Sequence, residues 1–159
     1  MENWAIFFAA QVGASAALAG LIFVSVSLSL TKIIATANLP MRAFQALVIL
    51  LEILVVSSLA IVPQSVQAFG DEVLAIGVPI WLLVLVFDRR TMAAAPVASR
   101  IRSISRMALS QVAALLFVAA GIAVAIGGVG GVHWLVPAII CSYLVAMTDA
   151  WVLLIEINR

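Results

Sequence analysis

Between Trp4 and Lys32 the chain runs WAIFFAAQVGASAALAGLIFVSVSLSLTK, a stretch of apolar and small side chains that meets its first charge only at the lysine. A helix rises about 1.5 Å per residue and needs about 20 apolar residues to cross a bilayer core, so this run is long enough to span one. It is predicted as a first transmembrane helix over about 4–31. Four more apolar stretches follow, at about 42–62, 73–87, 107–126 and 133–154. The expected fold is all-α: a polytopic membrane protein of five spans, forming one integral membrane domain over 1–159.

The third span is the shortest. Its residues, about 73–87, rise only about 22 Å against a core of about 30 Å, and Pro79 interrupts them. A smaller tilt, local thinning of the bilayer and a partly re-entrant path are all open to it. Between the first two spans, Asn38 and Pro40 read as a cap and a first-turn proline.

With 66 % hydrophobic and 9 % charged residues the chain is not a soluble domain, and no room is expected for an extramembrane one. MENWAIFF carries no basic segment ahead of its apolar run, so no cleaved signal peptide is expected. Cys141 is the single cysteine, which rules out an intrachain disulfide.

The charges orient the spans. Lys32, Arg42, Arg89, Arg90, Arg100, Arg102, Arg106 and Arg159 fall on one side of a five-span arrangement, and Glu2, Asp71 and Glu72 on the other. Basic loops stay in the cytoplasm, so the N-terminus is expected outside and the C-terminus in the cytoplasm, in a bacterial inner membrane. Removing the third span would put acidic and basic loops on one side. Trp4 and Trp134 then mark the outer interface and Trp151 the inner one, while Trp81 falls mid-span.

The first span has two unusual sides. Ala9, Gly13, Ala16, Ala17, Gly20, Val24, Ser27 and Thr31 recur at three- and four-residue steps and form a nearly flat stripe for close helix packing, with Ala9, Gly13, Ala17, Gly20 and Ser27 the packing candidates. Another edge carries Gln11, Ser15, Ser25, Ser29 and Lys32, interrupted by Leu18 and Ile22. Those serines either bond back to the carbonyl one turn earlier or line a water-filled path.

Two acids fall inside spans. Glu52 lies about 15 Å from the start of the second span, near the bilayer midplane, where a carboxylate costs about 2.5–3.5 kcal/mol on insertion scales. It is either a proton or cation site, or a neutral acid bonded to Gln45, Ser57 or a neighbouring helix. Asp149 shares a face with Ser142 and Glu156 at seven-residue steps, and Arg102, Arg106 or the Arg89–Arg90 pair is positioned to neutralise it as a structural ion pair.

Catalysis finds no support. Ser15 within Gly13-Ala14-Ser15-Ala16 and the single His133 differ in depth by about 15 Å, far beyond hydrogen-bonding reach. No metal-ligand spacing or phosphate-binding loop is present, so neither enzyme activity, nor a cofactor or metal, nor a nucleic-acid partner is expected. The basic loop after the third span suits anionic lipid head groups, at about 1 kcal/mol per cation.

GASAALAGLIFVSVSLSL, with Trp4 and Phe7-Phe8 before it and LPMRA and VVSSLAIVPQS after it, resembles small bacterial, largely actinobacterial, multi-pass membrane proteins, some labelled as modulators of a membrane-anchored AAA protease. The resemblance covers roughly the first 75 residues and implies an accessory role. SAALAGLIFVSVSL is also faintly similar to the pore-lining first helix of store-operated calcium channels, although Leu28 stands where those carry the acid of the selectivity ring.

Two main functions follow as expectations. In the first, copies self-associate as a homo-oligomeric ion channel, with Gln11, Ser15, Ser25 and Ser29 on a central axis and Lys32 at its inner mouth, favouring anions. In the second, a non-conducting accessory protein binds another membrane protein, such as a protease. A proton-coupled carrier using Glu52 would need an inverted repeat, which the five dissimilar spans lack.

Overall fold

The computed structural model describes residues 4–35, 39–93, 100–127 and 130–157, and every element among them is helical. In chain order these are α1 (Ala5–Leu28), α2 (Leu30–Ala35), α3 (Leu39–Ile61), α4 (Val66–Ala93), α5 (Arg100–Ala125) and α6 (Leu135–Ile157), the last entered through a 3-10 turn over Gly131–Trp134. Five of the helices, α1, α3, α4, α5 and α6 with its leading turn, are long and apolar enough to cross a membrane. The protein is therefore an all-α integral membrane protein with five candidate spans.

Successive spans run in opposite directions, because polar groups at matching levels meet across them. At one end Trp4 stacks edge-on against His133 with ring centroids 4.8 Å apart. Beside them, Gln64 donates to the Leu59 carbonyl at 3.1 Å and to Glu72 Oε2 at 2.9 Å, tying the end of α3 to the start of α4. Ser65 caps α4 by accepting the Ala68 N–H at 3.2 Å. The opposite end carries Lys32, Arg42, Arg89, Arg90 and Arg100.

The third span is longer than its sequence indicates. α4 covers 28 residues, so it rises about 42 Å and crosses with room to tilt. It passes through Pro79, whose side faces outward, and takes in both Gly70-Asp71-Glu72 and Asp88-Arg89-Arg90. Gly70 explains part of this: a Cβ there would lie 2.4 Å from the Ala125 backbone nitrogen, so the glycine lets α4 and α5 touch backbone to backbone. The first span bends at Ser29, after which α2 turns Ile33 into a small cluster with Leu39, Ala43 and Leu153. Pro40 sits in the first turn of α3, where its missing N–H breaks no helical bond; Asn38 lies outside the described residues.

The centre of the bundle is α3. Half of its most apolar stretch is buried, against 17 % for α1. Leu50, Ile53 and Val56 of α3 join Phe8 and Ile22 of α1, Phe69 and Val73 of α4, Phe117 of α5 and Leu135 and Ile139 of α6 in one core.

Candidate functional site

Near the basic end four helices converge on a buried polar cluster. α5 supplies Arg106, α6 Asp149, α4 Asp88 and α3 Gln45. Arg106 donates from Nε to Asp149 Oδ1 and from Nη2 to Oδ2, both at 2.7 Å, a forked pair that matches guanidinium to carboxylate geometry. The same Nη2 reaches Gln45 Oε1 at 2.9 Å, and Nη1 lies 3.4 Å from Asp88 Oδ1. Both carboxylates are fully buried, and the arginine side chain is 11 % exposed.

Asp88 collects four donors. Besides Arg106 it accepts from Gln45 Nε2 at 3.1 Å, from Gln111 Nε2 at 2.9 Å and from the Ser110 hydroxyl. Gln111 passes the network on by accepting Trp81 Nε1–H at 3.1 Å. Buried charges are tolerable only when paired and hydrogen-bonded. This cluster meets that condition for one guanidinium facing two carboxylates, and it braces α3, α4, α5 and α6 at a single level.

Of the cations considered for Asp149, Arg106 is the one that pairs with it, whereas Arg89 and Arg90 are exposed. The side chains of Arg102 and Glu156, and all of Glu2 and Arg159, lie outside the described residues. Asp88, Ser110 and Gln111 are not singled out by the sequence, and Gln45, expected as a partner of Glu52, bonds instead to Asp88 and Arg106. A signal for them exists: each is a polar residue lying one to three turns inside its span as measured from the basic end, so antiparallel packing brings them level.

Glu52 is buried in the middle of α3, and its Oε1 accepts no hydrogen bond; nor does the Ser57 hydroxyl make one. Gln45, its neighbour two turns away on the same face, is occupied by Asp88 and Arg106. Beside Glu52 stands Gly77 of α4, where a Cβ would lie 3.7 Å from Oε1.

The two sides of α1 are disposed unequally. Ser15 is buried against the bundle and donates to the Gln11 carbonyl at 2.7 Å, which also accepts the Tyr143 hydroxyl at 3.3 Å. Ser25 donates to the Leu21 carbonyl at 2.8 Å and lines a shallow apolar groove of about 180 Å³ with Ile22, Leu50 and Met147. Ser29 is half-buried at the bend and Lys32 is exposed. The flat side faces away from the bundle: Ala9, Gly13, Ala16, Ala17, Gly20 and Ser27 are all exposed, and nothing lies within 4 Å of where a Cβ on Gly13 or Gly20 would stand. Ser27, like Ser15 and Ser25, satisfies its hydroxyl within the helix, on the Phe23 carbonyl at 2.8 Å.

Among the described residues no three potential metal ligands gather. No family's sequence pattern, no curated protein and no solved structure matches the chain.

Proposed function

We propose that this integral membrane protein is a non-conducting accessory protein that acts by packing the flat side of α1 against a transmembrane helix of another molecule. The observation behind this reading is the exposure of Ala9, Gly13, Ala16, Ala17 and Gly20 along a span that its own bundle covers least. Between helices in lipid the attraction comes from close packing rather than from the hydrophobic effect, and small side chains are what permit it. A helix that only met acyl chains would gain nothing from two uncovered glycines, each of which costs roughly 1 kcal/mol of helix stability relative to alanine.

A channel along the hydroxyl edge of α1 receives less support. Ser15 is buried against the bundle and Ser25 lines a groove with Leu50 of α3 and Met147 of α6, so both lie on the side of α1 that faces its own bundle. Reconstitution into liposomes tests the choice. The accessory reading expects no ion flux from the purified protein, together with loss of its association with the partner helix when Gly13 and Gly20 are both replaced by leucine. Flux that responds to Ser15→Leu or Ser25→Leu would overturn it.

A further inference from the structure

Glu52 has the position of a used group rather than a structural one. It stands midway along the most buried helix, 1 % exposed, with Oε1 unpaired. An unpaired buried acceptor subtracts stability and contributes none, and folded chains retain such groups where they serve a function. The bonds that would make it a structural acid are missing, since Gln45 is engaged elsewhere and the Ser57 hydroxyl is itself unpaired.

Its surroundings supply no counter-charge. The α1 segment Ala5–Leu28 contains no titratable residue. From α4 the facing residue is Gly77, with Glu72 held by Gln64 at one end and Asp88 held in the cluster at the other. From α5 the residues at this level are Phe117 and Val118, and Arg106 lies eleven residues before Phe117, committed to Asp149. The titratable groups of α6 with described side chains are Cys141, Tyr143 bonded to α1, and Asp149 bonded to Arg106; Glu156 lies two turns beyond Asp149, towards the basic end. With no cation at its level among the described residues, nothing beside this carboxyl offsets a negative charge.

We propose that Glu52 is a proton-binding site in the middle of the bundle, beside Gly77 of α4. It rests on different residues from the α1 surface and stands or falls independently of it. The probe is dicyclohexylcarbodiimide applied to the full chain in detergent micelles. A protonated carboxyl adds to it: the carboxyl oxygen bonds to the central carbon, the proton moves to one nitrogen, and an acyl shift from oxygen to nitrogen leaves a stable adduct with no leaving group. Mass spectrometry of the peptides is expected to place the adduct on Glu52 and not on the ion-paired Asp149. Its rate should fall severalfold as the solution is made alkaline, because the ionised carboxylate does not take the first step of the addition. Glu52→Gln is expected to remain unlabelled and to melt at or above the parent's temperature. Glu52 unlabelled in the folded protein, a labelling rate indifferent to pH, equal labelling of Asp149, or a Glu52→Gln that melts well below the parent would each overturn the proposal.

Discussion

Arg106 grips Asp149 with two parallel N–H groups, each 2.7 Å from its own carboxylate oxygen, in a site where the carboxylate is wholly buried. Without Arg106 both Asp149 and Asp88 are buried carboxylates that have lost their cation, whereas without Asp149 the guanidinium still faces Asp88. Arg106→Ala is expected to lose about 3–5 kcal/mol of stability, and Asp149→Ala less. The pair Arg106→Met with Asp149→Leu is expected to lose less than Arg106→Ala alone, because one of the two buried carboxylates leaves with the cation while Asp88 keeps three other donors. Denaturant unfolding of the three variants in micelles measures this; additive losses would show that the two side chains do not act as a pair.

Asp88 tests the polarity of the same cluster. All four of its contacts are with donors, so Asp88→Asn turns one acceptor into a donor facing a donor. A loss of about 1–3 kcal/mol is expected in the same assay.

The two kinds of glycine are expected to respond in opposite ways. Gly70→Ala places a methyl 2.4 Å from the Ala125 backbone nitrogen and must push α4 from α5, at a cost of about 1–3 kcal/mol or more. Gly13→Ala and Gly20→Ala meet nothing in the protomer and are expected to leave it unchanged or to stabilise it by up to about 1 kcal/mol each. Thermal melting of the dispersed protein compares them.

Hydropathy made the number of spans legible, because a run of about 20 uncharged residues has few other places to go. The ends of the third span were not legible. Gly70-Asp71-Glu72 and Asp88-Arg89-Arg90 carry the composition of connecting loops, yet Gly70 is consumed in a backbone contact and Asp88 in a network, both set by helices distant in sequence. The two sides of α1 could be drawn from residue spacing, but their assignment could not. A hydroxyl bonded to the preceding turn is satisfied within its own helix, so it can pack inward, as Ser15 does, or stay outside with the small residues, as Ser27 does, and spacing does not say which. Asp149 was readable as an ion pair from its charge and depth; which arginine it takes depends on which helices are neighbours.

Ser57 carries the second unpaired buried oxygen, two turns or less from Glu52 on α3. Ser57→Ala removes a hydroxyl that makes no bond, so it is expected to be neutral or to stabilise by about 1 kcal/mol, whereas a satisfied buried serine would lose a similar amount. Melting of the variant decides between the two signs.

The central claim is that the outer side of α1 is covered by protein when the molecule is in its membrane. A photo-reactive side chain placed at Ala16, with a second variant carrying it at Leu51 on the exposed surface of α3, reads this directly in native membranes. The expected result is a polypeptide adduct at Ala16, mapping to one transmembrane helix and lost with Gly13→Leu and Gly20→Leu, against lipid adducts at Leu51. Lipid adducts alone at Ala16 would contradict the account.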